Sequence, residues 1–322
     1  MRALVLGMVA LLALAVPARA AESIRLGLLA FGTVQWEIET LRAEALDAAH
    51  GIRVEPVELA GKDGSAVALL GGSVDAIVTD WPWVSRQRGM GHDLVFVPWS
   101  LMTGAVLVPA DSPIHSLADL AGRRLGIAGG PLDKSWLLLR ALATKRHGLD
   151  LDTAVEKTFG APPLLSQQMT AGRLDALLTY WQAAAPLEAK GFRRLVDVAS
   201  IPAELGVTHA IPMVGWVMRR DWAASHAATV TAFLAAENDA RSRLCAEGAD
   251  WRRLDLLTKA ADDASRDRFR RGFCAGIPKA WGASERADAA RIYAILAALG
   301  GPDLTGSSPG LDPGTFWPEV SY

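Results

Sequence analysis

A twelve-residue segment recurs 100 positions later in the chain. Leu70–Trp81 (LGGSVDAIVTDW) lines up with Thr170–Trp181 (TAGRLDALLTYW), with identical pairs at Gly72/Gly172, Asp75/Asp175, Ala76/Ala176, Thr79/Thr179 and Trp81/Trp181. Each copy ends a helix at glycine, runs a short apolar strand and delivers Thr-x-Trp at the strand's carboxyl end. Each is followed by a helix and a second strand, Leu94–Val97 or Leu195–Val198. Two copies are too few for a solenoid, which needs at least three stacked units. They fit two related lobes, each presenting a tryptophan-bearing loop.

The remaining sequence keeps the same rhythm. Ile24–Ala30 is a short apolar run, followed by helical spacing at Val34, Ile38, Leu41, Ala45 and Ala49 with Gly51 as a stop. Ile52–Leu59 alternates as a strand, and Ala76–Thr79, Leu94–Val97, Ala105–Val108 and Arg124–Ala128 are further strands. Ser116-Leu-Ala-Asp119 resembles a capping box, with Gly122 stopping its helix. Helices are predicted at Lys134–His147, Leu164–Ala171, Gln182–Lys190 and Trp222–Ala246, and in pieces from Arg253 to Leu299. Alternating β and α elements imply an α/β fold of largely parallel sheets covered by helices, with ligands beyond the carboxyl ends of the strands. A length of 322 residues predicts about two domains. With 33 basic against 35 acidic residues, the net charge of −2 gives no footprint for nucleic acid.

The first twenty residues read as an export signal. Arg2 precedes an apolar run from Ala3 to Val16, then Pro17 and the small-residue pattern Ala18-Arg19-Ala20, so cleavage is expected after Ala20. That run is too short to cross the ~30 Å hydrocarbon core of a bilayer. No cysteine follows the cleavage site to carry a lipid, so a soluble protein outside the cytoplasm is expected. In an oxidising compartment Cys245 and Cys274 pair, stabilising the fold by about 3 kcal/mol; two buried free thiols are the alternative.

Enzyme patterns find little support. Gly306-Ser-Ser-Pro-Gly310 fits G-x-S-x-G but follows no predicted strand, which a nucleophile elbow requires. The Gly129–Ser135 loop carries Lys134-Ser135, with Asp133 where a phosphate-binding loop needs glycine. No His-Glu-x-x-His occurs, so neither a metal nor another cofactor is expected.

The order of the IRLG strand, the G-x-x-D-A-x-x-T repeat and the segment Asp111-Ser-Pro-Ile-His-Ser-Leu-Ala-Asp-Leu-Ala-Gly-Arg-Arg-Leu-Gly-Ile127 resembles periplasmic substrate-binding proteins of ABC importers. Within these it resembles the nitrate, sulfonate, taurine and pyrimidine-precursor branch. The resemblance covers nearly all of the chain after residue 20, most clearly residues 24–220. It implies a type II periplasmic binding fold: two α/β lobes joined by a two-segment hinge, with a ligand cleft between them. Lobe one would comprise residues 21–103 and 208–322, and lobe two residues 104–207. The function implied is a monomeric, non-catalytic binder that closes on a small solute and delivers it to an ABC permease. A ligand-sensing receptor of the same fold is the runner-up. Some relatives are enzymes of pyrimidine synthesis that use a cysteine-rich segment, whereas this chain has two separated cysteines.

Ligand contacts are expected at the strand ends. Gln35 and Trp36 follow the first strand; Thr79, Asp80, Trp81 and Trp83 follow the first repeat; the Gly130 backbone, Ser135 and Trp136 open the helix near Lys134. Thr179, Tyr180 and Trp181 mirror the first repeat, and His209 stands near the return crossover. Buried aromatic packing is the competing reading for the tryptophans, because binding-site walls and cores look alike in sequence. Asp80 among tryptophans suits a cationic ligand through cation–π contacts, or a flat aromatic one by stacking. Alternatively it caps the helix that Pro82 begins. A small organic solute is expected in preference to inorganic nitrate. Asp75 and Asp175 precede their strands, so hydrogen bonds within the helix–strand turn are expected for them. Trp216 and Trp222 are assigned to packing.

Overall fold

The computed structural model describes residues 21–308 and 310–321; the proposed export signal lies outside the described residues. Ten strands form two five-stranded sheets. In chain order they are β1 (Glu22–Leu29), β2 (Ile52–Leu59), β3 (Ala76–Asp80), β4 (Leu94–Ser100), β5 (Gly104–Val108), β6 (Arg124–Ala128), β7 (Glu156–Gly160), β8 (Ala176–Tyr180), β9 (Arg193–Asp197) and β10 (Val214–Arg219). One sheet has the order β2-β1-β3-β10-β4 and the other β7-β6-β8-β5-β9, so the two are built to one plan.

The sheets are mixed, which corrects the expectation of largely parallel pairing. β10 runs antiparallel to β3 and β4, and β5 runs antiparallel to β8 and β9. Both strands are reached by crossing from the opposite sheet, and both begin at the carboxyl edge of the sheet they join. Gly104 pairs with Tyr180 at the end of β8, and Val214 pairs with Asp80 at the end of β3. A strand entering at that edge can only run back, whereas strands returning through a crossover helix run parallel. Glycine is required where each intruder presses on its neighbour. A Cβ at Gly104 would lie 2.0 Å from the Thr179 carbonyl oxygen, and one at Gly215 would lie 2.1 Å from that of Val97.

The repeated aspartates close a repeated clamp. Asp75 Oδ2 accepts from the Arg25 backbone N–H at 2.8 Å and from its Nε at 3.0 Å, while Oδ1 accepts from Nη2 at 2.6 Å. Asp175 holds Arg124 in the same way, at 2.8, 3.1 and 2.7 Å. These contacts join β3 to β1 and β8 to β6 at their amino ends, so the expected bonds within the turn are replaced by cross-strand ones. With register fixed there, each Thr-x-Trp lands at the opposite, carboxyl edge.

Beyond β10 the chain returns to the first sheet. The expected helix Trp222–Ala246 is broken at His226 into Arg220–Ser225 and Ala227–Cys245, with the imidazole stacked on Trp222. A disulfide between Cys245 and Cys274 joins Ala227–Cys245 to the helix Asp263–Ala275, their Cα atoms 5.7 Å apart. Among the described residues no helix is long and apolar enough to cross a membrane.

Candidate functional site

The carboxyl ends of β1, β3 and β8 converge with the start of β5 on a small inner chamber of about 100 Å³. A wider outer cavity of about 530 Å³ adjoins it, and Lys62, Thr79 and Asp80 line both. Four helices open onto the inner chamber. Gly32, Thr33 and Val34 start the helix Val34–Ala43; Lys62 starts Lys62–Leu70; Lys134 starts Lys134–His147; Trp181 and Gln182 start Trp181–Ala189. Trp99, Thr103 and Tyr180 complete its wall.

Four charged side chains interlock across the cleft. Lys62 Nζ stands 2.9 Å from Asp133 Oδ2 and 3.7 Å from Asp80 Oδ2, while Lys134 Nζ stands 4.0 Å from Asp80 Oδ2. The Tyr180 hydroxyl donates to Asp133 Oδ2 at 3.4 Å, and both ammonium groups lie within 6 Å of the Tyr180 ring centroid. Each aspartate also caps a helix: Asp80 accepts from Trp83 N–H at 3.1 Å, and Asp133 accepts from Ser135 N–H at 2.9 Å. Burial alone would raise the Asp133 carboxyl, but Lys62 and Lys134 hold it well below the usual carboxylate range. Burial would likewise lower Lys62, and Asp133 pulls it well above the usual amine value. Burial and the adjacent Asp133 push the Tyr180 phenol up, so it stays a neutral donor. Two cations therefore meet two anions, and the acids are already engaged.

The unengaged groups are donors. No side chain caps the helices that begin at Val34 and Trp181, so their first N–H groups carry the positive end of the helix dipole. Three of these are spent within the protein: Trp181 N–H on the Thr103 carbonyl at 3.2 Å, Gln35 N–H on the Gly32 carbonyl at 3.3 Å and Trp36 N–H on the Thr33 carbonyl at 3.1 Å. Thr103 lines the inner chamber and is 8% exposed, and its buried hydroxyl has no hydrogen-bond partner among the described residues. The Thr179 and Ser135 hydroxyls are also buried without a partner among the described residues, but neither of these two expected contact residues lines the chamber or the outer cavity. A buried hydroxyl left unpaired costs about 1–3 kcal/mol, which a ligand oxygen can recover.

Residues 48–247, more than half of the chain, match the model of a protein family described as NMT1/THI5 like. The chain belongs to this family. Solved structures give the NMT1/THI5-like chain its fold as well. It is similar to the alkanesulfonate-binding protein SsuA from Xanthomonas axonopodis pv. citri bound to MOPS, at 20% identity, TM-score 0.72 and coverage of 92% of this chain and 99% of that one. It is similar to the periplasmic aliphatic sulphonate binding protein SsuA from Escherichia coli, at 19% identity, TM-score 0.72 and 94% coverage of each chain. The desulfurization enzyme DSZB has the same fold at 16% identity and TM-score 0.60, over 91% of this chain and 96% of that one. Among curated proteins no sequence matches. The architecture is thus the two-lobed type II periplasmic binding fold, as the resemblance implied.

The expected contact residues divide in this NMT1/THI5-like chain. Thr79, Asp80, Tyr180 and Trp181 line the inner chamber, and Trp83 and Gly130 line the outer cavity. Gln35 turns away, its Nε2 donating to the Leu29 carbonyl at 2.6 Å. Trp36 is buried against Trp181, Trp251 and Phe269, with ring centroids 5.4–5.6 Å away. Trp81 is fully buried beneath Tyr293 and Phe316, and Trp136 is fully buried with Arg140 over its ring. The two copies of the repeat therefore diverge at their last residue: Trp181 is a chamber wall and Trp81 a core plug. His209 Nδ1 is 2.8 Å from Asp288 Oδ2, and the residue lines neither cavity.

Sequence reasoning missed Lys62, Trp99, Thr103, Asp133 and Lys134. Lys62 and Trp99 sit at the carboxyl ends of β2 and β4, where the strand-end rule applied to every strand would have found them. Trp99 is held from behind, its Nε1–H donating to Glu37 Oε2. Glu37 and Glu237 are both buried and share Arg241, and Glu237 also accepts from the Trp216 indole. Burial, with Glu37 beside it outweighing what Arg241 offsets, pushes the Glu237 carboxyl up to about 8.

Proposed function

We propose that the chain is an extracytoplasmic solute-binding protein of an ABC importer that captures a small organic anion in the inner chamber and delivers it to a membrane permease. Residues 1–20 direct export, residues 21–103 and 208–322 form lobe one, and residues 104–207 form lobe two of a soluble monomer. Closure about the two crossovers brings both lobes onto the ligand and shifts the population toward the form a permease would engage. The observation that carries this reading is the unpartnered Thr103 hydroxyl, which shares the inner chamber with the uncapped starts of the helices Val34–Ala43 and Trp181–Ala189, while Asp80 in the chamber and Asp133 beside it already face lysines. A cationic ligand would have to displace Lys62 or Lys134, whereas an anionic head group meets the Thr103 hydroxyl and the positive ends of helix dipoles. Tyr180, Trp181 and Trp99 supply flat apolar walls for an organic body.

The test is mass spectrometry of the ligand released on denaturing gently purified protein, followed by titration of the identified compound. Recovery of an organic acid that binds and is returned unchanged supports the reading; a cation, or no ligand in the cleft, overturns it. The shared fold with DSZB makes conversion the second outcome to score, because a product accumulating with time would make the protein an enzyme.

A further inference from the structure

Trp36 and Trp181 meet edge to face at 5.6 Å, yet their rings serve different cavities. Trp181 lines the inner chamber, and Trp36 lines a separate groove of about 570 Å³ that has only Gln182 in common with it. Both halves of the molecule build this groove. Phe31, Leu257 and Phe269 come from elements packed on the first sheet, and Pro163, Pro186 and Leu187 from elements on the second. Its size and largely apolar lining are those of a small-molecule site. Leu164 and Leu256, beside the lining residues Pro163 and Leu257, are 51% and 82% exposed and extend the apolar surface beyond its rim.

The charge on the groove has one sign. Lys190 and Lys259 line it, and no aspartate or glutamate does. The chain has seven lysines, of which Lys62, Lys134, Lys145 and Lys157 hold carboxylate or carbonyl oxygens. Of the other three, two stand here, neither with an ion-pair partner among the described residues, in a protein of net charge −2. Lys259 is also held at φ 56° and ψ 31°, ending the short helix Asp255–Thr258 in the left-handed region. That conformation costs a non-glycine residue about 1–2 kcal/mol.

We propose that this groove is a second ligand site, for an organic anion with an extended apolar body whose carboxylate or sulfonate head is taken by Lys190 and Lys259. Because its walls come from both lobes, an occupant contacts both and favours their approach.

Lysine acetylation footprinting of the full mature protein tests the assignment, with decanoate below its critical micelle concentration as probe and decyltrimethylammonium as the charge-reversed control. At a decanoate concentration about ten times Kd, acetylation of Lys190 and Lys259 should slow about tenfold while the exposed Lys279 is unchanged. Replacing both lysines (Lys190→Glu with Lys259→Glu) alters only exposed side chains and should abolish the decanoate titration signal without moving the melting temperature. No protection, equal protection by decyltrimethylammonium, equal slowing at Lys279, or protection confined to Lys62 each overturns the proposal.

Discussion

Lys62 reaches across the cleft to Asp133, Nζ to Oδ2 at 2.9 Å, and so ties the start of the helix Lys62–Leu70 to the start of the helix Lys134–His147. Asp133 is almost fully buried and Lys62 is 38% exposed, so the pair joins the lobes through an ion that water reaches on one side only. Lys62→Met leaves Asp133 with Lys134, Tyr180 and its helix cap. The expected loss is about 1–2 kcal/mol in denaturant unfolding, below the full cost of breaking a buried pair because solvent already screens Lys62. Small-angle scattering should show a larger radius of gyration for the ligand-free variant. An unchanged radius would remove the pair's role in holding the lobes together.

Thr103→Val separates binding from folding. The hydroxyl has no partner among the described residues, so its removal should leave the melting temperature of the free protein unchanged or slightly higher. Affinity for the ligand recovered from the native protein should fall about tenfold, equivalent to about 1.4 kcal/mol. Thr103→Ser should retain most of the affinity. Equal binding by the valine variant would take Thr103 out of the site.

The repeated tryptophans should respond differently. Trp81→Ala empties a fully buried site and should cost about 3–5 kcal/mol of stability. Trp181→Ala removes a chamber wall and should weaken ligand binding more than Trp222→Ala, which alters a half-buried ring stacked on His226. Calorimetric titration of the three variants scores this, and equal losses at Trp181 and Trp222 would contradict the chamber assignment.

The acid pair behind Trp99 predicts a pH dependence. Glu237 holds its proton up to about 8 when folded, against 4.5 as its ordinary value, so the native state binds more protons between those limits. Its contribution is fully present below about 4.5 and is lost as pH rises through about 8. The melting temperature should therefore decline over that window. Glu237→Gln, which titrates nowhere in it, should flatten the slope, and an equally steep slope in the variant would disprove the assignment.

Local signals carried most of the fold. The repeat Gly72–Trp81 and Gly172–Trp181 located both central strands and the edge where the site lies, because a strand's exit is set by residues adjacent in sequence. What the tryptophans do at that edge was hidden. Trp81 is enclosed by Tyr293 and Phe316, from the far end of the chain, whereas Trp181 packs against Trp36 and Phe269 and still lines the chamber, and no spacing around either tryptophan records that difference. Asp133 stood out in sequence only for breaking a phosphate-binding pattern; it caps the helix Lys134–His147, and its pairing with Lys62 spans two sheets and leaves no periodic trace. The reversed direction of β5 and β10 was equally silent, since an apolar run of five or six residues has no polarity of its own.

That reversal bears on the order in which the protein is made. The sheet β7-β6-β8-β5-β9 draws on residues between Gly104 and Asp197 alone, so it is complete once that stretch has left the ribosome. The other sheet holds β1 to β4 from the outset but must wait for β10, at Val214–Arg219, to fill the gap between β3 and β4. The half whose strands come first is thus the half finished last, because β3 and β4 are joined only through β10.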